Sequence, residues 1–307
     1  MAVASGSDHQ AFAGVPGSGA ASQEVEERIA RRIAEIRADS PVPVDLPDAV
    51  GPKGRETYGL IDFAGLPNTR DLGGLVGADG RRIKPGLLLR SGALCIGDAS
   101  DIARLHDAYH LGLVVDLRNG HELVELPDPM EAFPEARFIH ADILARSAEG
   151  ITQEQGTRDK ISSQRAELDR AAQTEDDDSF MRKMYKYLLL SESGRSGYRS
   201  LLRGIIDCKG GAVLWHCHVG RDRCGMASAL VETVLGVGWQ DIVSDYLATN
   251  IFTDNEFTYT YPASLRYIDS AREGVESECG GFMGYIEDVL GVTPSEVELL
   301  RERYLEP

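Results

Sequence analysis

At 307 residues the chain exceeds the usual single-domain size but fits one large α/β unit with an appendage. Hydrophobic residues make up 42% and charged residues 26%, near the soluble globular average, which excludes collagen-like, wholly disordered and disulfide-scaffold classes. Thirty-two Lys and Arg against 49 Asp and Glu give a net charge of -17, so nucleic acid and anionic lipid surfaces are poor partners unless a local basic site overrides the total.

The opening MAVASGSDHQ lacks the basic start and apolar core of a secretory leader. No apolar run approaches the ~18 residues of a membrane span. A cytoplasmic location without integral membrane association is expected, with secretion by a leaderless route left open. Residues 1–21 are mostly Ala, Gly and Ser and read as a disordered tail. Ser22 offers an N-cap for a helix carrying Val25, Ile29, Ile33 and Ile36 at helical spacing, whose stripe must cover either this core or a partner. A Pro/Gly-rich stretch over 40–54 closes this N-terminal segment of helix and linker, 22–57, and the ordered body is expected over 58–307.

Asp79-Gly80, between Leu75-Val76 and Leu87 to Arg90, signals a hairpin. Ser100 caps a helix with Ile102, Leu105 and Tyr109 that Gly112 would end. Short β-rich runs at Leu113 to Leu117 and at Phe138-Ile139 alternate with helices, which implies an α/β architecture with a central, mainly parallel sheet flanked by helices. Residues 145–178 are polar and lead into a helical stretch ending at Leu190; the segment of about 145–190 reads as a lid-like helical insertion or as a solvated pair of surface helices. The apolar run Gly211 to His216 suits a buried central strand.

That strand runs into His216-Cys217-His218-Val219-Gly220-Arg221-Asp222-Arg223-Cys224-Gly225, and an apolar helical run follows from Met226. A strand, a tight loop and a helix N-terminus converge backbone amides on one small space, an anion site that fits phosphate. His218, Val219, Gly220, Arg221, Cys224 and Gly225 would line it. Cys217 stands at the loop entrance with Arg223 six positions later, so the loop supplies a nucleophile and a guanidinium fork together. A helix N-terminus and a nearby Arg lower a thiol pKa, as a nucleophilic thiolate requires. Asp222 and Asp116 are the candidate acids for the leaving group. For Asp116 the alternative is an ion pair with Arg118 or Arg90 that holds the loop. His216 is expected to orient the loop, and Arg70 and Asp71 to support it from outside, with contact to substrate as their alternative. The five cysteines, Cys95, Cys208, Cys217, Cys224 and Cys279, are odd in number and show no CxxC spacing, so neither a disulfide framework nor a zinc ribbon is expected. His216, Cys217, His218 and Cys224 would all have to turn inward from one anion-binding loop to ligate a metal, and no second cluster completes the set, so no metal or cofactor is expected.

The H-C-x5-R pattern is the signature of cysteine-based phosphatases. The chain resembles the bacterial atypical tyrosine phosphatases, whose loop reads HCxxGKDRTG. Asn68 to Gly74, Leu89 to Gly92, Asp116 to Arg118, Asp245 to Asn250 and Gly284 to Leu305 are similar as well, so the resemblance spans about 58–305. The last of these opens its final helix with a Thr293-Pro294-Ser295-Glu296 capping box. The resemblance implies a cysteine-phosphatase fold and phosphomonoester hydrolysis through a phosphocysteine. Cys217 would be the nucleophile, Arg223 the phosphate clamp and Asp222 the loop acid. It also implies phosphotyrosine proteins as substrates, with phosphoinositides or inositol phosphates as the alternative. A phosphate-binding module without turnover is a further reading. Two positions depart from the family: Arg221 replaces its usual Lys, and Cys224 its usual Thr, a weaker donor toward the nucleophile. Oligomeric state is not readable.

Overall fold

The computed structural model describes residues 19–47, 55–145 and 155–307. The expectations for residues 1–18, 48–54 and 146–154 lie outside the described residues. In chain order, helix α1 (Gly19–Asp39) precedes strands β1 (Arg70–Asp71) and β2 (Leu88–Ser91). Helix α2 (Ala99–Tyr109), strand β3 (Leu111–Asp116), helix α3 (Gly120–Glu125) and strand β4 (Arg137–His140) follow. Three helices come next, α4 (Gln155–Thr174), α5 (Asp177–Leu190) and α6 (Glu192–Asp207). Strand β5 (Ala212–His216) then leads into α7 (Asp222–Val234). The chain ends in α8 (Trp239–Phe252), α9 (Asn255–Thr260), α10 (Leu265–Cys279), the short α11 (Phe282–Gly284) and α12 (Pro294–Tyr304).

The sheet order is β1-β2-β5-β3-β4, parallel throughout except for the short antiparallel edge β1. This is the expected α/β sheet. Its three inner strands are apolar because helices cover both faces. Side chains alternate between the layers: Leu113, Val115, Val213 and Trp215 meet α5 to α8 on one face, whereas Val114, Leu214 and Leu89 meet Leu105 and Tyr109 of α2 on the other. Register fixes where chemistry can occur. Ser91 of β2 and Asp116 of β3 both lie opposite His216, so three strand ends stand abreast and Cys217 leaves the sheet at their shared edge.

Several boundaries differ from the sequence expectation. Helix α1 begins at Gly19, before Ser22, and its stripe covers this chain's own core: Ile29 and Ile33 pack on Tyr58, Ala248, Ile251 and Phe252. Asp79-Gly80 does form a tight turn, but the strands it joins are only Val76 and Arg82; Leu88 to Ser91 pairs with β5 instead, because burial on both faces favours the central position. Asp98, not Ser100, caps α2, accepting from the amides of Ser100 and Asp101. His110 in the left-handed conformation ends that helix, which frees Gly112 for β3, where a Cβ would strike the Gly210 carbonyl. Within the segment of about 145–190, α4 and α5 account for nearly all the described residues. Helix α5 is more than cover, since Tyr185, Leu188 and Leu189 are fully buried in the core. Among the described residues no helix is long and apolar enough to cross a membrane.

Candidate active site

The loop from Cys217 to Asp222 is shaped from its outer side. The His218 carbonyl accepts from Ala93 N at 3.0 Å. Asn68 Nδ2 donates to the carbonyls of Val219 and Gly220 at 3.0 and 3.2 Å, and Arg90 Nη2 to that of Gly220 at 2.7 Å. In a planar trans peptide the next amide points opposite its carbonyl, so the N–H groups of Val219, Gly220 and Arg221 face the inner space. Gly220 is required: its φ is +77°, and a Cβ would lie 2.7 Å from the Ser91 carbonyl. Helix α7 starts at Asp222 and adds its N-terminal dipole to the same space.

Cys217 sits at the floor of this loop, buried, as a free thiol. Burial opposes its ionisation, but a hydrogen bond from the Cys224 thiol and the charge of Arg223 outweigh it and hold the Cys217 pKa well below that of an ordinary thiol. Cys224 is itself fully buried and pushed well above the ordinary range, so it remains the donor. Arg223, nearly buried, turns its two Nη groups end-on to Glu122 of α3, at 2.7 and 3.0 Å. Burial disfavours the Glu122 carboxylate, yet the Arg223 pair lowers its pKa. An end-on partner leaves the guanidinium's Nε–H and its remaining Nη hydrogens for a second anion.

Asp222 opens α7 with its side chain 23% exposed. Its Oδ1 accepts from Tyr185 Oη at 2.5 Å and from Arg221 Nε at 3.0 Å, and Oδ2 accepts from Arg221 Nη2 at 3.1 Å. Burial works against the charged carboxylate, but Arg221 and the Tyr185 hydroxyl reverse the balance and lower its pKa. Arg221 Nη1 also donates to the Tyr261 carbonyl, tying this pair to the segment after α9.

Asp116 ends β3, opposite His216 of β5. It is fully buried, and Arg118 holds both its oxygens from Nε and Nη2. The ion pair of Asp116 with Arg118 is present, whereas Arg90 is engaged elsewhere, with Asp245. His216 lies 2.9 Å from Asp128 and 3.8 Å from Asp116. Burial lowers its pKa, and the two carboxylates more than reverse that. These three residues bring metal-ligating atoms within 4.8 Å of one another. Arg118 Nη2 already stands 2.9 Å from Asp116 and 3.1 Å from Asp128, so a guanidinium fills the cation's place.

Arg70 and Asp71 also lie behind the site. Arg70 is fully buried, with Nη1 on Asp245 Oδ1 at 2.9 Å and Nη2 on Thr249. Asp71 accepts from the amides of Gly73 and Gly86 and thereby shapes the turn after β1. The loop thus brings together Cys217, His218, Val219, Gly220, Arg221, Asp222, Arg223, Cys224 and Gly225. Asp116, His216, Arg70 and Asp71 stand one layer back.

Sequence reasoning missed Glu122, Tyr185, Asp128 and Asp245. Glu122 had a local signal, since Asn119-Gly120-His121-Glu122 is a capping box and both of its reciprocal bonds form. Asp245 lay in a segment singled out by resemblance, but its role needs the fold: it gathers Arg55, Arg70 and Arg90 at 3.2, 2.9 and 2.6 Å. Arg90 then passes that anchorage to the Gly220 carbonyl.

A model of the tyrosine phosphatase family matches residues 61–306. A Cupriavidus necator protein provisionally named a tyrosine-protein phosphatase is 29% identical over 296 residues, covering 90% of this chain and 97% of that protein.

Proposed function

Since the chain belongs to the tyrosine phosphatase family and is by that membership a phosphatase, we propose that it hydrolyses phosphomonoesters through a phosphocysteine on Cys217, with phosphotyrosine in proteins as its substrate class. The observation that carries the reading is a buried thiol of strongly lowered pKa on a loop of inward amides, with Arg223 six residues on. The thiolate attacks phosphorus, an S–P bond forms and the P–O bond to the leaving group breaks. Val219, Gly220 and Arg221 amides and the free edge of Arg223 bind the equatorial oxygens as charge shifts onto them. Asp222 gives its proton to the departing oxygen; it then takes one from the water that attacks phosphorus, and Cys217 leaves as thiolate. The nucleophile's depth supports an aryl phosphate, whose ring carries the phosphorus down to the loop floor. Arg118 completes the Asp116–Asp128–His216 cluster, so no step draws on a metal ion there.

The test is free phosphate release, in chelator, from phosphotyrosine peptides, phosphoserine peptides and phosphoinositides. Preference for phosphotyrosine, with turnover abolished in Cys217→Ser and a phosphocysteine trapped by rapid acid quench, is the expected result. Preference for a phosphoinositide would replace the substrate class. No release from any of them, despite binding of inorganic phosphate, would leave a binding module.

The pH profile follows from two shifts of the same sign. Catalysis needs the Cys217 thiolate and a protonated Asp222, and both pKa values are lowered. The acidic limb and the basic limb of kcat/KM therefore both move to lower pH, and the optimum is expected on the acid side of neutrality. A maximum above pH ~8, near the ordinary thiol pKa, would contradict the site's electrostatics.

A further inference from the structure

Asp222 is held by two partners of different origin. Arg221 is its neighbour in the loop, whereas Tyr185 comes from α5, the last helix of the segment that sequence alone reads as an insertion. Tyr185 is completely buried, and its hydroxyl has one proton, which is given to Asp222 Oδ1. The Tyr246 hydroxyl of α8 lies 2.6 Å from that of Tyr185, so Tyr246 must be the donor there. Two hydroxyls in series thus point at one carboxylate oxygen. Both tyrosines are kept neutral, chiefly by burial and then by the charge of Asp222, so the chain keeps its direction at any working pH. Gly225 is the device that admits Tyr246, since a Cβ at that position would lie 2.8 Å from its ring.

The two carboxylate oxygens are therefore not equivalent. Oδ1 accepts from Tyr185 and from Arg221 Nε, and Oδ2 has only Arg221 Nη2, at 3.1 Å. A proton on Asp222 belongs on Oδ2, because a proton on Oδ1 would face that of Tyr185.

We propose that Tyr185, backed by Tyr246, is the positioning residue of the acid: it fixes Asp222 by Oδ1 and reserves Oδ2 for the proton passed to the leaving group. This rests on the reading of Asp222 as the acid, and the test separates the two. Other charged or titratable groups facing Asp222 are Arg221, Arg223, Cys217 and Tyr267. Among the described residues, Tyr185 alone bonds to it from outside the loop.

The experiment compares Tyr185→Phe, Tyr246→Phe and Asp222→Asn on phenyl phosphate, whose leaving group needs a proton, and 4-nitrophenyl phosphate, whose leaving group does not. Positioning predicts that Tyr185→Phe loses about tenfold in kcat on phenyl phosphate, a part of the acid's full ~100-fold or greater effect, and under about threefold on 4-nitrophenyl phosphate. Tyr246→Phe, one bond further away, shows the same pattern more weakly. Loss of the donor also raises the Asp222 pKa, so the basic limb of kcat against pH moves to higher pH in Tyr185→Phe. Equal losses on both esters with an unmoved limb would make Tyr185 a packing residue and overturn the proposal, provided Asp222→Asn still discriminates between the esters. If Asp222→Asn does not discriminate while the wild type turns over, the acid assignment falls, and this proposal with it.

Discussion

Cys224 is the residue at which this chain departs most plainly from its resemblance. Its thiol, fully buried and held protonated, is the donor that steadies the Cys217 thiolate. Sulfur is a weak donor, and this one has the carbonyls of Ser91 and Trp215 within reach at 3.5 and 3.8 Å, which compete for its proton. Cys224→Thr should therefore raise kcat on an aryl phosphate by a few-fold; equal or lower turnover, with folding intact, would show that the hydroxyl prefers those carbonyls. Glu122 is a second residue to probe. Its end-on hold on Arg223 sets the plane of the guanidinium, so Glu122→Gln should cost about tenfold in kcat/KM, or ~1.4 kcal/mol, and weaken vanadate binding in parallel. Unchanged kcat/KM would mean that the loop orients Arg223 unaided. Glu122 was half legible in sequence: its spacing from Asn119 announces a cap, but nothing local announces that its carboxylate faces Arg223, 101 positions away.

At the scale of elements, the loop from Cys217 to Asp222 is held in shape by hydrogen bonds to its carbonyls from Arg90 of β2, Ala93 and Asn68. Gly220→Ala forces a Cβ against Ser91 and a positive φ on alanine, which displaces the loop by a fraction of an ångström or more. A misplacement of that order costs up to ~100-fold in rate, so kcat should fall by at least about tenfold, and the strained φ should also cost about 1 kcal/mol or more of stability. A variant with full turnover would remove the argument for a pre-shaped loop. Helix α1 acts at a greater distance. Ile29 is 2% exposed and packs on α8, the helix that also carries Asp245 and Tyr246. Ile29→Ala should cost about 2–5 kcal/mol in urea unfolding with KM unchanged. A normal stability would mean that α1 is dispensable cover. The amphipathic period of α1 was readable in the sequence, but its target was not, because a stripe of isoleucines fits any apolar partner. The hairpin expectation failed for a related reason: Asp79-Gly80 specifies a turn locally, and which strands it joins depends on competition for the middle of the sheet.

Over the whole molecule, three buried guanidiniums converge on Asp245, and this cluster joins the linker at Arg55, the sheet edge and α8. Burial penalises the Asp245 carboxylate, and Arg70, Arg90 and Arg55 reverse that so strongly that its pKa falls below the usual carboxylate range; Arg70, mainly through burial, is itself lowered to about 9. A folded-state pKa below the unfolded value gives stability that is complete above pH ~4 and is lost as pH falls toward the depressed value. Asp245→Asn should thus be destabilised by about 3–5 kcal/mol at pH 7, since it leaves buried arginines uncompensated, and the gap to wild type should narrow below pH ~4. A gap that is constant with pH, measured by urea unfolding, would show that packing rather than charge is lost.

What the sequence by itself determined is chemistry confined to short spans. The strand, the glycine-bearing turn and the helix start from Ala212 to Val234 place Cys217, Asp222 and Arg223 around one space, because backbone geometry over a few residues allows little else. The cap at Thr293 is of the same kind. Only the tertiary structure decided which groups tune that chemistry: Tyr185 reaches Asp222 across 37 positions, Glu122 reaches Arg223 across 101 and Asp245 reaches Arg70 across 175. It also decided that Asp116 serves Arg118. Such contacts follow from which faces of the sheet the helices cover and how strand ends align, and these are settled by burial of the whole core at once, so no local spacing records them.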